Sequence, residues 1–157
     1  MALDIQKQRI AGTINDIHSM NGIGLHDNLQ EKLNGELPIN RLELIYLINS
    51  WGRTEVSDYE KLYLPIGVNE CEAKECYDLS KLDTSEITDM SQLFQFSEFN
   101  GDISNWNTSN VINMSEMFRF AKFFNQALND WDVSSITDMS RMFFAAYNFN
   151  QALDNWN

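Results

Sequence analysis

Apolar residues in the second half of the chain return on a fixed beat. Met114, Met117, Phe118 and Ala121 stand at i, i+3, i+4 and i+7, the spacing of one helix face. Met139, Met142, Phe143 and Ala146 repeat the pattern, and so do Met90, Leu93 and Phe94, with Ser97 last. A short helix is therefore predicted in each copy. Asp89, Asn113 and Asp138 precede these helices and suit the N-cap. Gln92 and Glu116 follow their caps by three residues, as in a capping box, which Arg141 breaks in the third copy.

Between the predicted helices the pattern changes. Leu128-x-x-Trp131-x-Val133 alternates over its last three positions. Ile103-x-x-Trp106-x-Thr108 matches it, and Leu79-x-x-Leu82-x-Thr84 is a degenerate earlier copy. Each predicts a short strand with its central apolar residue buried. Trp106, Trp131 and Trp156 follow one another at intervals of 25 residues. A period of this size marks stacked supersecondary units, none of which buries its own apolar face. Phe99-Asn100, Phe124-Asn125 and Phe149-Asn150 recur with the tryptophans and read as corners, Phe inward and Asn bonded to its turn. The first copy is one residue shorter, between Phe94 and Phe99.

The first 65 residues do not repeat. Ile10, Ile14 and Ile17 share a helical face that Asn21-Gly22-Ile23-Gly24 interrupts. A second short helix is predicted around Asn28 to Leu33, closed by Asn34-Gly35. A third runs from Arg41 to Trp51, with Asn40 as cap, Leu42, Ile45 and either Ile48 or Asn49 on its face, and Gly52 ending it. Ser57 to Tyr63 predicts one more. A stacked repeat array needs its first unit covered, so this helical half reads as a cap. The predicted organisation is a helical cap over 1–65 and repeats over 66–157: a partial unit 66–82, then 82–106, 107–131 and 132–156. The fold class is an α/β repeat, a leucine-rich-repeat-like solenoid of short parallel strands and short helices with an N-terminal helical cap.

Charge narrows the partners. The formal net charge is −12, from 23 acidic and 11 basic residues among 157. Such a surface repels phosphate backbones and anionic membranes, so nucleic acid is not expected as a partner. No run approaches the roughly 20 apolar residues that span a bilayer. The N-terminus lacks the basic flank and apolar stretch of a secretion signal. Cys71 and Cys76 read as free thiols, with a local disulfide as the alternative.

The sequence predicts no catalytic residue, cofactor or metal site. His18 and His26 lie in no nucleophile or metal pattern. The residues flanking the tryptophans are the ones expected to bind. Neighbours of an inward strand residue point outward. Lys81, Asn105, Asp130 and Asn155 then form one exposed column, and Asp83, Asn107, Asp132 and Asn157 the other. Together they read as a polar, acidic surface for a protein partner with basic groups. The chain's last copy carries no polar capping segment, so Leu153 and Trp156 are candidate self-association residues in a two-fold homodimer.

The string Trp131-Asp-Val-Ser-Ser-Ile-Thr-Asp-Met-Ser-Arg-Met-Phe143, followed by Phe149-Asn-Gln-Ala-Leu-Asp-Asn-Trp156, resembles the BspA-like leucine-rich-repeat surface proteins of the DUF285 type. The resemblance covers roughly Leu79 to Asn157. It implies an extended repeat solenoid without catalytic residues. It also implies cell-surface or secreted placement and adhesion to host or other proteins. The alternative function is structural self-assembly through the last repeat.

Overall fold

The computed structural model describes residues 28–50 and 78–157. The helix expected through Ile10, Ile14 and Ile17, the Ser57 to Tyr63 segment, both histidines and both cysteines lie outside the described residues.

Among the described residues, two helices precede the repeats. The first, α1, spans Leu29–Leu33, and the second, α2, spans Arg41–Ser50. Asn34-Gly35 closes α1 as expected. Gly35 turns left-handed at φ +76. The Glu36 N–H then reaches back to the Glu31 carbonyl at 2.9 Å and the Gly35 N–H to Lys32 at 3.0 Å, which satisfies two orphan carbonyls of the last turn. Asn40 caps α2: its Oδ1 accepts the Glu43 N–H, and Glu43 Oε2 accepts the Asn40 N–H, both at 3.0 Å. Lys32 Nζ lies 2.6 Å from Glu43 Oε1, joining α1 to the start of α2. The buried face of α2 is broader than expected. Leu44, Ile45, Leu47 and Ile48 are buried, while Leu42 is only partly covered.

This segment covers the first repeat. The Ile39 N–H donates to the Asp83 carbonyl at 2.9 Å beside a parallel bridge from Pro38 to Asp83. Arg41 Nη2 donates to the Ser91 carbonyl at 2.6 Å. Ile39, Leu44 and Leu47 share one apolar core with Leu79, Leu82 and the repeat interior.

Within the repeats the inward positions are those expected, but the backbone is not. Met90, Leu93, Phe94 and Ser97 are buried, and Met114, Met117, Phe118 and Ala121 fully so. Yet the segments from Met90, Met114 and Met139 are not helices. They are runs of turns, with left-handed residues at Gln92 and Phe96, Glu116 and Phe120, Arg141 and Ala145, at φ between 55 and 60. A non-glycine residue in that region costs about 1–2 kcal/mol. Hydrogen bonds between repeats offset it. The N–H groups of Met90, Gln92, Phe94 and Phe96 donate to the carbonyls of Asn113, Ser115, Met117 and Arg119 at 2.8–3.0 Å. Those of Met114, Glu116, Phe118 and Phe120 donate in the same way to Asp138, Ser140, Met142 and Phe144 at 2.8–2.9 Å. A helix would spend these donors on itself. The turn run directs every second one at the next repeat.

The expected caps act as turn openers. Asp89, Asn113 and Asp138 accept the N–H two residues on, from Ser91, Ser115 and Ser140, at 2.8–2.9 Å. They also form the parallel bridges Asp89 to Asn113 and Asn113 to Asp138. The capping box expected at Glu116 does not form. Glu116 Oε2 instead takes Gln95 Nε2 at 2.7 Å and Arg119 Nη1 at 3.0 Å.

The strands expected at Leu79 to Thr84, Ile103 to Thr108 and Leu128 to Val133 are also absent from the described residues. Leu79–Lys81 is a short 3-10 helix. The Trp106 N–H closes on the Ile103 carbonyl at 3.2 Å and the Trp131 N–H on Leu128 at 3.1 Å. The spacing explains why. Residues three apart fall on opposite faces of a strand, whereas a turn lets Leu128 and Trp131 both point inward, and both are buried.

Aromatic columns run through the stack. Phe94, Phe118 and Phe143 lie face to face at 5.0 and 5.5 Å between centroids, within 4° of parallel. The indoles of Trp106 and Trp131 are 6.4 Å apart and 5° from parallel. Each indole N–H reaches a carbonyl of the preceding turn: Trp106 to Leu79 at 2.7 Å, Trp131 to Ile103 at 3.0 Å, and Trp156 to Leu128 at 3.0 Å.

Candidate functional site

The flanking columns face outward, although no strand orients them. Lys81, Asn105, Asp130, Asn155, Asn107, Asp132 and Asn157 are exposed. Asp83 differs: it is half-buried, with its backbone in the bridge to Pro38. The repeat-to-repeat spacing of the second column is held by hydroxyls. Thr84 Oγ1 donates to the Asn107 carbonyl at 2.9 Å, and Thr108 Oγ1 to the Asp132 carbonyl at 3.0 Å. Val133 stands at the third such position and has no hydroxyl to extend the series.

The side chains of this column are committed locally. Asn107 Oδ1 accepts both the N–H and the Oγ–H of Ser109, at 3.1 and 2.7 Å. Asp132 Oδ1 takes the same pair from Ser134, at 3.0 and 2.6 Å. The Ser134 hydroxyl, then its N–H, hold the Asp132 carboxyl below its ordinary value of 3.8. Asp132 is thus a fixed negative charge with one oxygen already engaged. The Asp83 Oδ1 accepts the Ser85 N–H at 3.0 Å. Among the first column, the Asn155 backbone N–H is held by Asn129 Oδ1 at 3.0 Å.

The Phe-Asn corners are inter-repeat fasteners. Phe99 and Phe124 are buried as expected. The Asn side chains were expected to serve their own turns; they instead bridge to the next repeat. Asn100 Oδ1 accepts the Asn125 N–H at 2.9 Å, and Asn125 Oδ1 the Asn150 N–H at 2.8 Å. Gln126 and Gln151 add amide bonds to the carbonyls of Asn100 and Asn125, at 3.0 and 3.1 Å.

One surface escaped the sequence reading. Phe96 stacks on Phe120 at 4.9 Å outside the main core, and Phe144 meets Phe120 edge-on at 5.6 Å. The Arg119 guanidinium sits 5.0 Å from the Phe120 centroid and 5.7 Å from Phe144, a cation over aromatic faces. Phe144 and Tyr147 are exposed, as are Ile112 and Phe123. The signal was the recurrence of Phe two residues after an inward Phe, at Phe96 and Phe120. Such spacing cannot lie on one helix face.

Leu153 and Trp156, expected to self-associate, lie together at the open side of the third repeat. With Met139, Met142, Phe143 and Phe144 they line a shallow apolar concavity of about 470 Å³. Among the described residues no three His, Cys, Asp or Glu side chains group as metal ligands. No helix among them is long and apolar enough to cross a membrane.

Identical turn runs, bonded to one another at a constant register and filled by aromatic columns, define a repeat protein. Residues 67–157 match the family described as "Mycoplasma protein of unknown function, DUF285". The match covers more than half of the chain, and the chain belongs to that family. No curated protein and no solved structure matches it.

Proposed function

We propose that this chain is a non-enzymatic interaction module built as a leucine-rich-repeat-like solenoid, which binds a protein partner through its outward polar columns. Adhesion at a cell surface is the setting that the family resemblance suggests. The observation carrying this reading is the rigidity of the display. Five backbone N–H···O bonds per interface, hydroxyl bridges and stacked rings hold equivalent outward residues at one fixed repeat spacing. Preorganised side chains lose less entropy when a partner engages them. Asp130 and Asp132 place two carboxylates on either side of one tryptophan, and the chain's net charge is −12. A partner with basic groups at matching spacing fits that field.

The test is charge removal without loss of shape. Asn107 shows that an amide forms the same turn as Asp132, so Asp130→Asn and Asp132→Asn together remove charge and keep the fold. Capture of a basic protein partner by the immobilised chain is expected to fall at least about tenfold in the double variant, a loss of 1.4 kcal/mol or more. Added salt is expected to weaken capture by the unsubstituted chain. Equal capture by both chains at every salt concentration would reject the columns as the binding surface.

A further inference from the structure

The turn runs carry a second charged surface, opposite in sign to the polar columns. Four basic residues occur between 78 and 157, and three of them follow one another there: Arg119, Lys122 and Arg141. Arg119 Nη1 lies 3.0 Å from Glu116 Oε2, and Arg141 Nη1 3.9 Å from Glu116 Oε1. Two guanidiniums thus share one carboxylate, and a positive charge is left over. The Phe96 and Phe120 rings beside them are stacked face to face. What they offer a partner is their edges, the positive part of the ring quadrupole. Gln92 holds the place of Glu116 and Arg141 in the first repeat, with the same left-handed backbone, and it is exposed although a repeat is stacked on it. This series therefore faces outward along the array.

The ridge lies across the core from the tryptophan columns. Phe118 and Trp131 meet in the interior at 6.4 Å, as Phe94 and Trp106 do at 5.8 Å. Arg119, beside Phe118, and Asp130 and Asp132, beside Trp131, consequently face away from each other. One chain carries a basic ridge on one side and carboxylates on the other, and both advance with the same coils. A partner that engages more than one coil must match them in sign and in period, and another copy of this chain does both. We propose that the partner of the carboxylate columns is a second copy of this chain, whose ridge at Arg119 and Arg141 docks beside Asp130 and Asp132. This rests on the reading of those columns as the binding surface. The contact is heterologous: each copy uses its ridge on one neighbour and its columns on another, so a row forms that does not close. Each chain carries a net charge of −12, which opposes approach at long range. At physiological ionic strength that repulsion is screened beyond about 8 Å, while charges in contact still attract.

Sedimentation of the full chain at physiological ionic strength tests the pairing. The substitutions are taken from equivalent positions of the same molecule. Asp130→Asn with Asp132→Asn copies Asn105 and Asn107, and Arg119→Gln with Arg141→Gln copies Gln95 and Gln92. The unsubstituted chain should associate beyond the dimer as its concentration rises. Either double variant alone should need at least about tenfold more chain to associate. An equimolar mixture of the two variants should recover association and stop at the dimer, because one keeps only its ridge and the other only its columns. Protected amides at Phe94 and Phe118 check the folding of each variant. Three results would overturn the proposal: an unsubstituted chain that stays monomeric, association that survives either double substitution, or a mixture no more associated than its separate components. If the chain stays monomeric while Asp130→Asn with Asp132→Asn still loses capture of another basic protein, the second copy is rejected and the columns remain a binding surface. Unchanged capture by that variant would reject the columns themselves and this pairing with them.

Discussion

Trp131→Ala separates a buried, stitched repeat core from a display of exposed rings. The Trp131 indole is 3% exposed. It stacks on Trp106 at 6.4 Å, leans on Phe118 at 6.4 Å, and donates its N–H to the Ile103 carbonyl at 3.0 Å. Truncating a buried Trp to Ala costs about 3–5 kcal/mol through lost transfer energy and the cavity left behind. The Ile103 carbonyl also loses its partner in the interior, which accounts for about 1–3 kcal/mol of such a loss. For a chain of this size each kcal/mol lowers Tm by about 2–4 °C, so the whole effect is about 6–20 °C. Trp131→Phe isolates the second contribution, because the ring remains and the donor goes; about 1–3 kcal/mol is expected. Trp156 has neighbours on one side only and is half-buried, packed against Phe143 at 6.3 Å. Trp156→Ala should therefore cost less than Trp131→Ala. Calorimetry is the assay, since removing a tryptophan alters the fluorescence that would otherwise report unfolding. Equal shifts for Trp131→Ala and Trp156→Ala, or none for either, would refute the stacked interior.

Three further outcomes are expected. Ala145→Gly tests the backbone itself: in a helix it costs about 1 kcal/mol, but at φ +57 the glycine relieves strain, so urea denaturation should show unchanged or raised stability. Gly35→Ala should loosen the cover on the first repeat, because φ is +76 and the added Cβ would stand 2.3 Å from the Lys81 carbonyl oxygen; a loss of about 1–3 kcal/mol is expected, with faster amide exchange at Ile39 and unchanged exchange at Phe118. Acid should weaken the array in a defined window. Asp78, Asp132 and Asp138 have carboxyls held below 3.8, Asp78 and Asp132 chiefly by the hydroxyls of Ser80 and Ser134 and Asp138 chiefly by the Ser140 N–H. A depressed folded value stabilises the fold above 3.8, and the contribution is lost as pH falls through the lowered value. Thermal midpoints should drop on acidification below 3.8, and Asp132→Asn with Asp138→Asn should shrink that drop.

Much of this molecule was legible in its residues. The period, the inward set and the outward columns follow from which side chains water rejects, and that property belongs to each residue wherever the chain goes. Asn40 and Gly35 bounded their helix ends because cap chemistry is local. The corners at Phe99 and Phe124 were placed correctly for the same reason. The backbone between Met90 and Ser97 was not legible. Spacing of i, i+3, i+4 and i+7 describes which residues point inward, and a turn run with a left-handed residue every fourth position points the same ones inward as a helix does. Only the neighbouring repeat decides between them. Its carbonyls lie where alternate N–H groups of Met90, Gln92, Phe94 and Phe96 reach them, and a helix would have consumed those donors. The same holds for Asn100 and Asn125, whose partners sit one repeat away. These bonds, which run both forward and backward between neighbouring repeats, exist only once repeats are stacked. A hydrogen bond needs its acceptor in place, and no single repeat contains both ends of it.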